Sequence, residues 1–131
     1  NLFDENLVID CEMNSGSSYE AMERYLEKNK KPPKALFISS DATAAGILKA
    51  IREHGFLVPG DCNIVTYNNT TFSESSTPPL DSIEVYLKES AKEATFALER
   101  FWNAEKLPRK IVIPCSLVIR GSIKKQENNG K

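Results

Sequence analysis

Histidine is almost missing from this sequence, with His54 the single example. Proton relay through imidazole, or a metal site built from several histidines, would need a partner that the chain does not supply. Cysteine is scarce and odd in number. Cys11, Cys62 and Cys115 stand far apart, which suits neither a disulfide framework nor a Cys-x-x-Cys ligand pair. Each lies in or beside an expected strand, so buried free thiols in a reducing compartment are expected. No apolar run approaches the roughly 20 residues of a membrane helix. Neither sign of charge dominates: 17 Lys and Arg face 18 Asp and Glu, for a formal net charge of -1. A nucleic-acid surface on the chain itself is therefore not expected. There is no phosphate loop, GxGxxG, GxSxG or HExxH pattern. These gaps argue against an enzyme, against a bound cofactor and against a metal centre.

What remains is a chain of 131 residues, 40% hydrophobic and 27% charged, enough for one modest globular domain. Asn1 is not an initiator methionine, so a segment upstream is expected. The stretch Ala35–Gly55 sets the pattern. Ala35-Leu36-Phe37-Ile38-Ser39 reads as a strand buried on both faces of a parallel sheet. Polar Ser39, Ser40 and Asp41 follow, and Ser40 or Asp41 can cap a helix. Ala44, Ile47, Leu48 and Ile51 then repeat on one helical face. Gly55 and Phe56 supply the left-handed stop and its apolar contact. In open α/β sheets ligands sit beyond the carboxyl ends of strands, where the Ser40-Asp41 loop lies. Asp41 can bind hydroxyl groups of a polar ligand there, or simply cap the helix.

The other segments extend this scheme. Leu7-Val8-Ile9 reads as a first strand, and Ser17 or Ser18 caps a helix carrying Tyr19, Met22, Tyr25 and Leu26. Pro32-Pro33 ends it. His54, in the last turn of the helix over 41–54, reads as a surface or capping residue. Asn63–Tyr67 reads as a buried strand, followed by a long polar loop over 68–79. Ser82–Tyr86 alternates like an edge strand or a crossover. Residues 88–103 form an amphipathic helix with Ala91, Ala94, Leu98, Phe101 and Trp102 on its stripe. Leu107-Pro108-Arg109 reads as a turn, and Ile111–Ile113 and Ser116–Ile119 as short strands split by Pro114. The tail over 124–131 lacks apolar residues and is expected to be disordered.

Three signatures in order resemble one family. Ser40-Asp41 with Ala45-Gly46, then Val58-Pro59-Gly60-Asp61 with Ile64–Asn69, then Thr77-Pro78-Pro79-Leu80 and Arg120-Gly121-Ser122 are similar to the effector-binding region of lac-repressor/gal-repressor (LacI/GalR) transcription regulators. The resemblance implies an α/β chain: an open parallel-sheet, three-layer (αβα) subdomain of the periplasmic-binding-protein-like type I fold. Residues 1–123 would be the carboxyl-terminal part of the effector-binding domain. Segment 83–113 would cross toward an amino-terminal subdomain, and helix 88–103, lacking it, would either re-dock on this half or meet another copy.

The resemblance also implies a site. Ser40, Asp41 and Asn68 match pocket positions, and Asn68 stands where the family commonly has an aspartate that binds sugar hydroxyls. Asn14 and Ser17 fall in the loop after the first strand, which lines the same cleft in the family. The implied function is the effector-binding and dimerisation region of a cytoplasmic, sugar-responsive repressor, similar to maltose-operon repressors. The effector would be a carbohydrate, the protein a homodimer, and operator DNA would be held through an amino-terminal head outside this chain. No membrane partner is implied. The rival is a sugar-binding protein of a transport system with the same fold. A flavodoxin-like enzyme or phospho-receiver would want a phosphate loop or an acidic cluster at strand ends, and neither is visible.

Overall fold

A computed structural model describes residues 5–108 and 110–124. The elements run from a 3-10 turn at Glu5–Leu7 through α1 (Ser15–Asn29), β1 (Ala35–Phe37), α2 (Asp41–Glu53), β2 (Asn63–Tyr67), α3 (Thr71–Ser75), β3 (Asp81–Glu84) and α4 (Leu87–Trp102) to β4 (Ser116–Val118). The strands lie in the order β1-β2-β3-β4. β1, β2 and β3 are parallel, with Phe37 opposite Val65 and Tyr67 opposite Ile83. β4 runs antiparallel to β3, with Leu117 opposite Ile83, so the open sheet is mixed rather than wholly parallel. Its antiparallel entry follows from the chain's path: it returns from α4 through an extended segment instead of a helical crossover.

Local chemistry sets the helix ends. α1 starts at Asn14, not at Ser17 or Ser18: the Ser17 amide donates to Asn14 Oδ1 at 2.8 Å. Lys30, at φ 61°, ends α1 in the left-handed conformation just before the two prolines. Ser40 caps α2 by accepting from the Ala42 amide. Past its end, Gly55 sits at φ 78°, Phe56 N donates to the Ile51 carbonyl, and the Phe56 ring reaches the core. His54 is the residue that closes α2, and its Nε2 lies 3.0 Å from Glu23 Oε1 on α1.

The core joins Met22 and Leu26 of α1 to Ala44, Ile47, Leu48 and Ile51 of α2, over Ile38, Cys62, Ile64 and Leu80. It lies on one side of the sheet, because Ile64 and Thr66 alternate inward along β2. The opposite side carries Phe37, Tyr67 and Leu117, all exposed, with Phe37 at 63%. So β1 is covered on one face only, and the third layer of the expected sandwich is absent among the described residues. α4 buries none of its residues, and Trp102 is 78% exposed. The helix therefore does not re-dock on this half.

Several expected elements take other forms. Leu7-Val8-Ile9 is not a strand. Its chain leaves the 3-10 turn and runs beside β1, walling a trough of about 440 Å³ with Phe37, Ile38 and Ile47. Ile111–Ile113 forms no ladder either. The loop over 68–79 contains α3, and the alternating 82–86 segment is an interior strand, β3, between β2 and β4. Of the cysteines only Cys62 is buried, where the apolar surroundings and then Asp61 push its thiol up to about 11; Cys115 is exposed. Arg109 and the tail beyond Lys124 lie outside the described residues.

α1 and α2 approach closely at one point. A Cβ on Gly46 would stand 2.0 Å from the Ser15 carbonyl oxygen and 2.7 Å from Tyr19 N. Both are backbone atoms that cannot step aside. Gly46→Ala is expected to cost roughly 3 kcal/mol in a urea melt, against the near-neutral change of an exposed alanine substitution.

Candidate functional site

The carboxyl ends of the three parallel strands deliver three loops to one edge of the molecule. After β1 come Ser39-Ser40-Asp41, after β2 come Asn68-Asn69-Thr70, and after β3 come Val85-Tyr86. One buried carboxylate, Asp41, ties the first two of these loops together, and a second, Asp81, holds the closing segment.

Asp41 opens α2 and is 3% exposed. Its Oδ2 accepts from the Thr70 amide at 2.6 Å and from the Thr70 hydroxyl at 2.7 Å. Burial pushes the Asp41 carboxyl up, but the Ser73 hydroxyl, the two Thr70 donors and the Thr66 hydroxyl outweigh it and hold the group below the ordinary aspartate value. Thr66 and Ser73, both fully buried, face each other at 3.3 Å beneath. The tips after β1 and β2 thus converge through a charge-assisted bond.

Asp81 does the same for the closing segment. It is fully buried at the start of β3. Its Oδ1 accepts from the Arg120 amide at 3.1 Å, and its Oδ2 from the Ser122 amide at 2.6 Å and the Ile123 amide at 3.0 Å. The Ser122 hydroxyl accepts from the Asp81 amide and lies within bonding distance of Asp81 Oδ2 and the Ile64 carbonyl. The Arg120 guanidinium donates to the Leu80 carbonyl. The Arg-Gly-Ser triplet is therefore a clasp on the carboxyl-terminal segment, with Ser122 as its buried member. Burial opposes the Asp81 charge, yet the Ser122 hydroxyl and the three amides keep it below the ordinary value.

The expected site residues fall into two groups. Asp41 and the Asn68 loop are brought together, with Thr70 as the link. Asn68 is half-buried at φ 101°, its amide donates to the Ile83 carbonyl, and among the described residues its side chain makes no hydrogen bond. Ser40 uses an oxygen lone pair to cap α2 and keeps its hydroxyl hydrogen for another acceptor. Asn14 and Ser17 are joined to each other. Asn14 Nδ2 donates to Glu12 Oε2, and the Ser17 hydroxyl accepts from the Glu12 amide at 3.0 Å. Asn14 caps α1, and Ser17 lies within its first turn rather than in a loop; the Ser18 hydroxyl of the same helix reaches the Thr43 carbonyl at the head of α2.

Reading the sequence did not single out Thr70, Ser73, Asp81 or Ser122 as parts of one network. The only signal was indirect: Asp81 follows the Pro-Pro-Leu mark, and Ser122 closes Arg-Gly-Ser. Among the described residues no group of three His, Cys, Asp or Glu side chains stands ready for a metal ion, and no helix is long and apolar enough to cross a membrane.

An open α/β sheet with loops gathered at the carboxyl ends of its parallel strands defines the class of small-ligand-binding α/β domains. The chain belongs to the periplasmic binding protein-like domain family, whose model matches residues 3–123. Its relatives are LacI/GalR-type transcription regulators rather than enzymes. The HTH-type regulator GalR of Streptococcus thermophilus is 31% identical over 94% of this chain and 38% of its own length. The HTH-type repressor MelR of Bacillus subtilis is 32% identical over 88% of this chain and 33% of its own length. Among solved structures, the regulator CcpA of Lactococcus lactis superposes with a TM-score of 0.83 at 27% identity, over 93% of this chain and 44% of that one. The regulator CelR in complex with cellobiose gives 0.81 at 27% identity, over 92% and 37%. The chain spans between a third and two-fifths of the curated relatives just named.

The two buried carboxylates, both depressed, give a pH signature. A carboxyl whose folded value lies below its unfolded value adds stability that is complete above the unfolded value, near pH 4, and fades as pH falls through the folded value. Stability is expected to be flat in this respect from pH 7 to about 5 and to drop steeply below about 4. Asp81→Ala leaves three amide donors unpaired and is expected to cost about 3 kcal/mol or more at pH 7, with a shallower acid limb, in urea melts across that range.

Proposed function

We propose that this chain is the carboxyl-terminal part of the effector-binding region of a sugar-responsive, LacI-family transcriptional repressor acting in the cytoplasm as a homodimer. The observation that carries the reading is the unused side-chain amide of Asn68, held half-buried in a loop pinned from both sides. An amide offers one acceptor and two donors, which suits the paired hydroxyls of a sugar. Ser40 adds a hydroxyl hydrogen from the neighbouring loop. Asp41 serves through Thr70, by fixing where Asn68 points. Asn14 and Ser17 form the rim at the head of α1. The cellobiose complex of the CelR relative supports a carbohydrate as the effector class. The relatives GalR and MelR, both HTH-type regulators, favour this reading over a transport binding protein.

The mechanism is linkage. A sugar that binds the closed cleft better than the open one shifts the population between them, and DNA-binding heads outside this chain respond. A coupling of roughly 1–3 kcal/mol is enough for such a switch. The second wall of the cleft belongs to the other subdomain, toward which segment 83–113 crosses. The exposed Leu87, Phe96, Leu98, Phe101 and Trp102 of α4 support that, since so much apolar surface on one helix calls for a cover.

Calorimetric titration of the full-length regulator with glucose, galactose, maltose and cellobiose tests the proposal. One of these is expected to bind, and Asn68→Ala to weaken it by roughly tenfold, the worth of one or two hydrogen bonds. Unchanged affinity in Asn68→Ala removes that residue from the site. Trp102 is expected to emit at shorter wavelength in the full-length protein than in this chain alone, because α4 is then covered. Equal emission would leave α4 uncovered and end the crossover assignment.

A further inference from the structure

The residue after Asn68 makes a second, separate set of contacts. Asn69 stands at φ 52°, and its amide donates to the Ser82 hydroxyl at 3.0 Å. Its side-chain Nδ2 donates to Glu84 Oε2 at 2.7 Å. Glu84 ends β3, and its other oxygen, Oε1, accepts from the Tyr86 amide at 2.8 Å. Tyr86 is the first residue of the turn into α4. It sits at φ 49° in the left-handed region, and its own side chain does not cap the helix. Its phenol instead meets the Ser116 hydroxyl at 2.8 Å, at the head of β4. One carboxylate thus bridges the loop that carries Asn68 and the backbone bend from which α4 departs. The strained turn at Tyr86 is the kind of position that is kept only where its surroundings over-determine it.

We propose that Asn69 and Glu84 are positioning residues that couple the effector loop to the root of α4. A ligand that moves Asn68 moves Asn69 with it. That shift acts through Glu84 on the Tyr86 amide and hence on the direction of α4. The inference rests on the effector-site reading above, and it adds a route by which occupancy reaches the crossover. It also gives Asn69 a role distinct from Asn68: Asn68 sets affinity, and Asn69 sets the response. The orphaned, buried Oδ1 of Asn69 fits this, because the side chain is held by its single donor bond and has no second anchor among the described residues. The bond to Asn69 is also the largest influence holding the Glu84 carboxyl below its ordinary value, followed by the Tyr86 amide.

The test swaps the donor and acceptor. In the full-length protein, Asn69→Asp keeps size and tolerance of positive φ but faces Glu84 with a like charge. Combining it with Glu84→Gln restores a donor opposite an acceptor. Hydrogen–deuterium exchange of the peptide covering residues 85–90 is followed with and without whichever of glucose, galactose, maltose or cellobiose binds, and affinity is read by calorimetry. In the wild type, sugar is expected to slow exchange there. Asn69→Asp is expected to speed ligand-free exchange at Tyr86 and to shrink the sugar effect about fivefold or more, while affinity stays within about threefold. The double variant is expected to recover both. Asn69→Gly, which removes the amide without straining the backbone, replaces Asn69→Asp should that variant fail to fold.

An undiminished sugar effect in Asn69→Asp, or no recovery in a folded double variant, overturns the coupling. If none of the sugars binds the wild type, the effector reading falls instead. The ligand-free arm then still decides the link: exchange at 85–90 equal to wild type in Asn69→Asp overturns it.

Discussion

Two carboxylates buried at the ends of strands govern this structure. An ionised carboxylate out of water is costly unless amide and hydroxyl donors surround it. Asp81 meets that demand at both oxygens and Asp41 at its Oδ2, with donors taken from segments distant in sequence: Thr70 for Asp41, and Arg120, Ser122 and Ile123 for Asp81. The requirement runs both ways. Each charge needs its loop in place, and each loop is held where the charge needs it. The hydrophobic core below joins α1, α2 and the sheet, but it is non-directional and does not dictate where a loop tip points. The carboxylates supply that direction, and the loop carrying Asn68 inherits its shape from Asp41.

Much of this could be read from residue order. The buried face of α2 follows the spacing of Ala44, Ile47, Leu48 and Ile51, and its stop follows Gly55-Phe56. The resemblance drawn from Ser40-Asp41, Pro-Pro-Leu and Arg-Gly-Ser named the family to which the chain belongs. What could not be read depends on distance in sequence. Leu7-Val8-Ile9 has the composition of a strand, but a strand needs an aligned partner, and here the segment only skirts β1. Ile111–Ile113 fails for the same reason. The cap of α1 fell on Asn14 because its side chain, and not that of Ser17, reaches a free amide of the first turn. Asp41 looked like a cap or a ligand group; its bond to Thr70, 29 positions away, is invisible to any local pattern.

The surface left bare is as informative as the core. One face of the sheet and the whole of α4 carry exposed apolar side chains, and α4 lies in the segment that the proposed function carries toward a second subdomain. The loop after β2 stands between two anchors, Asp41 on the side of α2 and Glu84 on the side of α4. Under the proposed function, that placement between a fixed point and a departing helix lets occupancy become a change of direction.

The shape of the loop after β2 depends on Asp41 being an ionised, loop-holding group in the folded chain. A carbon-13 NMR titration of the Asp41 carboxyl carbon, with exchange of the Thr70 amide followed alongside, measures this directly. Titration below the roughly 3.9 of a free aspartate, with a protected Thr70 amide, is the predicted result. An Asp41 that titrates at or above that value, beside a freely exchanging Thr70 amide, would contradict it.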